Sequence, residues 1–259
     1  MKTGATLAPL AIAVAVLALG AGGCGGCGGD SGAKASPEDA TGAGCPTHMA
    51  RIDAFCVDRY EAYVVELDGG VEHPHSPYLP VEGLTVAARA ARGVVPQAYV
   101  SQPQAAAACS AAGKRLCTAA EFEAACRTGS DDYPYGGTVR VPGQCNEGKG
   151  SFMPALFGSD PSAWTYDDLN DPRLDQLAGG LAPAAAYAAC TTAAEAYDCV
   201  GNLQEWVSDL TLSGHGILRG GSYVDAALNG PGCLYATTAH EPTYHDYTTG
   251  FRCCADPAP

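Results

Sequence analysis

The segment from Asp198 to Glu205 carries side chains that could bind a metal ion. It reads DCVGNLQE, with a carboxylate at each end and turn-forming Gly201 and Asn202 between them. Calcium binds several carboxylate and carbonyl oxygens, and a turn can present such oxygens together. The segment therefore predicts a calcium site. The same residues also fit a structural role, in which Asp198 starts a turn and Glu205 pairs with an arginine.

A second candidate segment is HEPTYHDY, residues 240–247, which holds His240, His245 and Asp246. Two histidines and one carboxylate are the ligand set of iron(II) sites that react with oxygen. Their spacing does not follow one helix face. The alternative to a weak iron site is a loop whose histidines and tyrosines form hydrogen bonds near the surface.

The cysteines predict disulfides if the chain is exported. There are 13 in all, and without Cys24 and Cys27 eleven remain between Cys45 and Cys254. Because eleven is odd, at least one is expected to be free or to pair outside the chain. Zinc is not predicted, since no two CxxC pairs face each other and no histidines lie at ligand spacing.

The N-terminal residues are predicted to direct export. Residues 1–23 resemble a signal peptide, with an apolar run from Leu7 to Leu19 that is short for a membrane-spanning helix. Ala21-Gly22-Gly23-Cys24 is similar to a bacterial lipoprotein cleavage box, which would place a lipid on Cys24; the alternative is plain secretion. Residues 24–44 are rich in Gly and Ala and are predicted to form a flexible tether. The expected location is the cell envelope, at a membrane or in the periplasmic or extracellular space.

The remaining residues, 45–259, are long enough for one domain with a hydrophobic core. The formal net charge is −14, and no cluster of Lys and Arg could follow a phosphate backbone. Nucleic acid is therefore not an expected partner.

Local patterns indicate the elements that must position these residues. Phe55 to Leu67 is rich in aromatic and β-branched residues and predicts a strand, followed by a turn at Asp68-Gly69-Gly70. His73 to Pro96 predicts a loop. Ser101 and Pro103 begin a helix that Gly113 ends. Thr118 and Glu121 form a capping box, which predicts a second helix through Arg127.

The second half of the chain predicts little regular structure. Residues 130–189 are rich in turn formers, and a loop of that length is usually functional or held by a bridge or ion. A turn and then a strand are expected over Asp198 to Val207, with short strands over Leu218 to Val224 and Thr249 to Cys254. Two helices among short strands and long loops predict an α+β fold.

Four motifs together resemble the formylglycine-generating enzyme, or sulfatase-modifying factor, family: AGKRLCTAAEFE at 112–123, VGNLQEWV at 200–207, RGGSY at 219–223 and GFRCC at 250–254. The resemblance extends from about Cys56 to Asp256. It implies the family's variant of the C-type lectin-like fold, with a small mixed sheet and low regular structure.

The resemblance also implies two disulfides. In the family the first helix is bridged to the GFRC strand, and the end of the second helix to a cysteine after RGGSY; the matching pairs are Cys109–Cys253 and Cys126–Cys233. Further pairings are expected to tie down the N-terminal segment, to run parallel to the first bridge and to hold the ends of the long loop: Cys45–Cys56, Cys117–Cys254 and Cys145–Cys190. Cys199 is left as a buried free thiol.

Family calcium ligands can be carried over by position. For the first ion they are the side chains of Asp198 and Glu205 and the backbone carbonyls of Gly201 and Leu203. A second family calcium lies in the long loop, where Asn146 and Glu147 match one half. The other half is expected from one of four acids, between which the sequence does not choose: Asp167, Asp168, Asp171 and Asp175.

The family's catalytic cysteines are not matched. Its oxidases bind copper(I) through two thiolates placed just after RGGS-aromatic. Counted from Arg219, those positions are Asp225 and Gly230. The candidates that remain are Ser222, which a tight turn also explains, and Cys233, which is expected to form a bridge. Calcium is thus the expected cofactor and copper is not.

These observations predict an exported, lipid-anchored domain that acts as a non-catalytic module and binds a protein or peptide. One alternative is an oxidase of the formylglycine-generating or another metal-dependent type with altered ligands. Another is a structural envelope protein without a ligand.

Overall fold

The computed structural model describes residues 44–258. The predicted signal peptide, the predicted lipidation site at Cys24 and nearly all of the predicted tether lie outside the described residues. Three small sheets form the framework. The first has the strand order β1-β2-β11-β6 and is antiparallel throughout, with strands Met49–Ile52, Phe55–Asp58, Cys253–Ala255 and Arg115–Leu116.

The second sheet has the order β10-β7-β8-β9, in which β10 runs parallel to β7 and the other pairs are antiparallel; its strands are Thr249–Phe251, Gln204–Leu210, Gly216–Arg219 and Ala236–Thr237. The third sheet has the order β4-β3-β5 and is antiparallel, with strands Val71–Pro74, Tyr63–Asp68 and Val86–Arg89.

Both predicted helices are present. Helix α1 covers Gln102–Ala111, and the Gln104 side chain accepts a hydrogen bond from the backbone N–H of Ser101 at 2.9 Å. Helix α2 covers Ala119–Cys126, where Thr118 and Glu121 exchange the two hydrogen bonds of a capping box. Two one-turn helices, α3 at Met153–Phe157 and α4 at Tyr166–Leu169, and a 3-10 helix at Pro161–Ala163 interrupt the long loop, which has little other regular structure, as predicted.

Several predicted strands are longer than the strands in the structure. The strand expected over Phe55 to Leu67 is two strands in different sheets, because the backbone at Arg59 and Ala62 bonds to His48 and Phe251 instead of a ladder partner. The strand expected over Thr249 to Cys254 is likewise divided at Arg252. Two further corrections are that β5 lies within the predicted loop from His73 to Pro96, and that β8 ends at Arg219.

Trp206 lies at the centre of the largest apolar cluster. Its ring is 1 % exposed and packs in a cluster with Leu218, Phe251 and residues from β3, β5 and α1. The indole N–H donates to the carbonyl of Val100 at 2.8 Å, so its one polar atom is satisfied inside the core. Few helices, short strands and long loops around this core make the fold α+β, as predicted.

Five disulfides cross-link the described part of the chain. The five bridges are the five pairings that the sequence predicted: Cys45–Cys56, Cys109–Cys253, Cys117–Cys254, Cys126–Cys233 and Cys145–Cys190. The adjacent Cys253 and Cys254 reach different partners because neighbouring strand residues point to opposite faces. Within residues 44–258, no helix has both the length and the apolar character needed to cross a bilayer.

The two bridges from Cys253 and Cys254 enclose nearly the same stretch of chain. Replacing Cys109 and Cys253 by alanine leaves Cys117–Cys254 closing the long loop, so we expect a loss of about 3 kcal/mol in the free energy of unfolding. Removing the second bridge as well opens a much longer loop, and this step should cost more than the first. Urea unfolding without reductant measures both steps.

The Cys45–Cys56 bridge, with a sequence separation of 11, is the control. Its removal should cost about the same whether or not the Cys109–Cys253 bridge is present, because it closes a separate short loop. Equal, additive costs for the Cys253 and Cys254 bridges would contradict the interpretation.

Candidate functional site

A buried ion pair joins β7 to the residue between β10 and β11. The Arg252 guanidinium donates from Nε and Nη2 to the two carboxylate oxygens of Glu205, both at 2.6 Å. Each side chain is 1 % exposed. Arg252 also donates to the backbone carbonyls of Asp58 and Tyr197, so the guanidinium links the first sheet to the turn that precedes β7.

Glu61 and Asp198 place two more carboxylates in the same interior. Glu61 accepts hydrogen bonds from the Asn202 side chain at 2.5 Å and from the backbone N–H of Leu203 at 3.0 Å. Asp198 accepts from the backbone N–H of Ala185 at 2.6 Å. Glu61, Asp198, Glu205 and Arg252 are called the buried acid cluster below.

The buried acid cluster carries more negative than positive charge. Burial, and then the Asp198 and Glu205 carboxylates, raise the pKa of Glu61 well above its ordinary value. Burial also raises the pKa of Asp198 to about 6 and raises that of Glu205 even though Arg252 opposes the shift. Three carboxylates around one buried guanidinium thus favour either bound protons or an added cation.

In the turn before β7, the backbone of Gly201 lies very close to the backbone of Asn146. Asp198, Gly201 and Asn202 all have positive φ angles, of 57°, 78° and 53°. A Cβ at Gly201 would collide with the backbone carbonyl of Asn146, so only glycine fits there. The turn therefore holds three of the predicted ligands of the first calcium, Asp198, Gly201 and Leu203, directly before the fourth, Glu205 in β7.

A chain of buried amides leads from the buried acid cluster to Asn146. Asn202 donates to Glu61, and Asn146 donates from Nδ2 to Asn202 at 2.8 Å and to the carbonyl of Gly180 at 3.0 Å. The Asn146 Oδ1 atom is buried and has no hydrogen-bond partner within residues 44–258. A buried unpaired oxygen is costly unless an unseen donor or cation meets it.

The acids proposed for the second calcium differ in environment. Asp168 caps α4, and Asp171 pairs with Arg173 at 2.6 Å. Asp175 is 2 % exposed and accepts from the Tyr223 hydroxyl at 2.8 Å, while its Oδ2 has no partner in the described part of the chain. Burial raises its pKa well above the ordinary value.

Asp167 is exposed. Among the four acids, Asp175 therefore fits a buried ligand best. Glu147, the other predicted residue of this half-site, has both carboxylate oxygens bonded to Nε of Arg140, at 2.6 and 2.7 Å.

The donor set fits calcium in chemistry: hard oxygens, uncompensated negative charge and two unpaired buried oxygens. Between residues 44 and 258, no group of three or more His, Cys, Asp and Glu side chains is arranged to hold a metal ion. A calcium ion would therefore depend on the backbone carbonyls of Gly201 and Leu203 as well as side chains. Both calcium sites stay predictions.

At the position of the family's catalytic pair, the chain forms a turn. The Asp225 carboxylate accepts from the backbone N–H groups of Ala227 and Leu228. Gly230 has a φ of 118°, and a Cβ there would lie 2.9 Å from the carbonyl oxygen of Leu234. A cysteine at position 230 would require the loop to move. Ser222 is 5 % exposed and its hydroxyl accepts from the N–H of Val224, which is a structural contact.

The cysteine sulfurs that could replace this pair are either bridged or buried. Cys233, the one cysteine close to those positions in sequence, is bridged to Cys126. Cys199 is the free cysteine of residues 44–258 and is 1 % exposed. Burial raises the pKa of its thiol to about 12, so it is protonated at neutral pH and is a poor metal ligand.

Two of the three predicted iron ligands in HEPTYHDY, His245 and Asp246, form hydrogen bonds with other residues. Both ring nitrogens of His245 have partners, Asn170 at 2.7 Å and Glu82 at 2.7 Å. Asp246 accepts from Thr248 and Tyr244. His240 instead stacks on Tyr244. The three predicted iron ligands do not form a metal-holding group, because their side chains have different partners in the loop.

Sequence reasoning missed Glu61, Arg252 and Asn202 as members of the site. Glu61 lies within the segment that predicts a strand from Phe55 to Leu67, and Arg252 lies within the one expected from Thr249 to Cys254. The available signal was a charge inside each apolar strand segment, since a charged side chain is rarely buried without a partner.

The comparison with known families agrees with the motifs. Residues 27–257 match the sulfatase-modifying factor enzyme 1-like domain. The chain therefore belongs to this family and has its α+β, C-type lectin-like type of fold. The match begins inside the segment predicted as a tether. No curated protein matches the chain.

Solved structures with a similar backbone include the Major Tropism Determinant I1 variant, with 13 % identity, a TM-score of 0.47 and coverage of 82 % of this chain and 53 % of that one. The U1 variant has 14 % identity, a TM-score of 0.45 and the same coverage. CarF has 18 % identity, a TM-score of 0.33 and coverage of 77 % and 59 %. This chain thus matches little more than half the length of each, and their functions are not transferred to it.

The Glu205–Arg252 pair makes a direct prediction. Replacing Arg252 by Met leaves three buried carboxylates without their guanidinium, so the free energy of unfolding should fall by about 3–5 kcal/mol. The matched control is Arg173→Met, because the Arg173 side chain is 63 % exposed in its pair with Asp171. That change should cost far less, because solvent screens an exposed ion pair.

Urea unfolding compares the two variants. Adding Glu205→Gln to Arg252→Met should recover part of the loss, since it removes an unpaired charge. Equal costs for the Arg252 and Arg173 variants would show that the buried acid cluster does not depend on the guanidinium.

Proposed function

We propose that this protein is an exported sulfatase-modifying-factor-like domain, anchored by a lipid on Cys24, that acts as a non-catalytic binding or scaffold module. In this proposal residues 1–23 are the signal peptide, 24–44 the tether and 45–259 the folded domain. The observation that carries the non-catalytic role is the Cys126–Cys233 bridge, which uses the one sulfur near the family's copper positions.

The surroundings of those positions support the same conclusion. Asp225 closes a turn through two backbone hydrogen bonds, and Gly230 lacks room for a side chain. Copper(I) needs soft thiolate ligands, and a carboxylate at position 225 is a hard one. The rival function, an oxidase with altered ligands, rests on family membership alone.

Export is supported by the disulfides. Five bridges in one domain indicate an oxidising, extracytoplasmic environment. The lipid anchor is supported only by the cleavage-box resemblance at residues 21–24. A bridged core with long loops suits a binding module, because a rigid framework can present loop residues to a partner.

Calcium is part of the proposal as a structural ion. Asp198 and Glu205, with the carbonyls of Gly201 and Leu203, would hold one ion, which would offset the negative charge of the buried acid cluster. Asn146 Oδ1 would be a ligand of the second ion, and Asp175 is the best placed of the four acids to join it. When bound, such ions supply rigidity and no chemistry.

Calcium should raise the stability of the purified, chelator-treated protein. At a calcium concentration of a hundred times the dissociation constant, the gain is about 2.7 kcal/mol if only the native state binds. Asp198→Asn keeps the size of the side chain and an acceptor for the Ala185 N–H but removes the charge, so the calcium response should shrink strongly. Thermal unfolding with calcium, magnesium or chelator measures it.

The control for that experiment is Asp256→Asn, since the Asp256 side chain is 84 % exposed and pairs with Arg115. This variant should respond to calcium like the parent protein. A parent protein whose unfolding is the same in calcium and in chelator would remove calcium from the proposal and favour a structural protein without a ligand.

The absence of oxidase chemistry is tested with copper. Protein incubated with copper(I) under anaerobic conditions and then desalted should retain far less than one copper per chain, and should consume no oxygen with a cysteine-containing peptide. A family member with its catalytic cysteines is the positive control. Stoichiometric copper together with conversion of the peptide thiol to an aldehyde would establish the rival function.

A further inference from the structure

The HEPTYHDY segment lies in an open surface groove of ≈ 590 Å³. Aromatic, hydroxyl and carboxylate side chains line it, among them Tyr166, His240, Glu241, Thr243, Tyr244 and His245. Neither the proposed scaffold role nor the buried acid cluster uses this groove.

Four aromatic and imidazole rings line the groove. His240 stacks on Tyr244 with centroids 3.9 Å apart and an angle of 12°. Tyr166 lies 5.7 Å from Tyr244 and 5.8 Å from His245. Two hydrogen bonds fix the tyrosine rings: the Tyr244 hydroxyl donates to Asp246 at 2.6 Å, and the Tyr166 hydroxyl donates to the His245 carbonyl at 2.9 Å.

Tyr166 remains accessible despite that tether. It is 46 % exposed, although its hydroxyl is bonded to the backbone of His245. Much of the surface that a ligand can reach on Tyr166 is therefore ring and not hydroxyl. The electron-rich face of a tyrosine attracts cations.

The charges around the rings are negative. Glu241 has a side chain that is 72 % exposed, and its Oε1 atom lies 3.4 Å from Nε2 of His215. Glu82, 55 % exposed, bonds to His245, and Asp246 lies buried beneath Tyr244. The lining contains no Lys or Arg. Burial lowers the pKa of His240, so its ring is neutral at neutral pH.

We propose that this groove binds the lysine or arginine side chain of a basic peptide segment on a partner protein. The cation would lie against the exposed ring of Tyr166 with Glu241 beside it. The inference rests on the proposed binding role and gives it a site and a ligand class. Charge complementarity commits it to a cation, because the exposed Glu241 carboxylate lies in the groove, the lining contains no Lys or Arg, and the whole chain carries a formal net charge of −14.

The test compares the full protein and its variants in calorimetric titrations. The probe is a short arginine-containing peptide, and the matched ligand is the same peptide with glutamine in place of arginine. The arginine peptide should bind and the glutamine peptide should not. Tyr166→Leu should weaken binding about two- to fivefold, as expected for the loss of an exposed cation–π contact.

Three further variants separate the ring from general charge. Tyr166→Phe keeps the ring and should bind nearly as well as the parent. Glu241→Gln should weaken binding and reduce its dependence on salt. Asp256→Asn removes one exposed carboxylate outside the groove and should leave binding unchanged. Thermal unfolding of each variant confirms that it is folded.

Equal effects of Glu241→Gln and Asp256→Asn would overturn the proposal, since binding would then follow net charge alone. Equal binding of both peptides, or binding of a neutral oligosaccharide in place of the arginine peptide, would also overturn it. These outcomes leave the copper and thiol-oxidation results unaffected. Failure of the proposed cation binding in the groove is therefore distinguishable from failure of the proposed non-catalytic role.

Discussion

The bidentate pair between Glu205 and Arg252 is the interaction on which the rest of the structure depends. It lies where three parts of the chain meet: β7, the break between β10 and β11, and the turn before β7. Taking two charges out of water is costly, so the pair persists because its geometry is good and further backbone groups satisfy the guanidinium. The break at Arg252 lets β10 and β11 belong to different sheets.

The buried carboxylates both fix the neighbouring turn and leave an excess of negative charge in the interior. Glu61 fixes the turn through Asn202 and Leu203, and Asn202 in turn holds Asn146. The same arrangement leaves negative charge without a matching buried cation. A protein can resolve such an excess by raising pKa values or by binding an ion, and the two are linked because protons and cations compete for one set of oxygens. This is the physical basis of the calcium proposal.

The disulfides compensate for the small amount of regular structure and also bear on activity. Long loops bury little backbone in hydrogen-bonded ladders, and cross-links reduce the conformational freedom of the unfolded chain instead. Committing Cys233 to Cys126 stabilises the fold but takes away a sulfur that could otherwise serve chemistry. Stability and the loss of a thiolate site thus come from the same bond, and the exposed loops are left as the surfaces open to a partner.

The sequence by itself determined the two capped helices and the position of the turn before β7, because a capping box or a glycine in a turn is readable without distant neighbours. The four motifs gave the family, and the resemblance, rather than local spacing, implied the Cys109–Cys253 and Cys126–Cys233 bridges. Tertiary structure decided where strands end, that Glu61 and Arg252 share one interior, that Asp175 is the buried acid of its loop, and that Tyr166 meets His240 and Tyr244 in a groove. Those facts depend on segments far apart in the chain coming together, and a pattern of neighbouring residues carries no record of such long-range contacts.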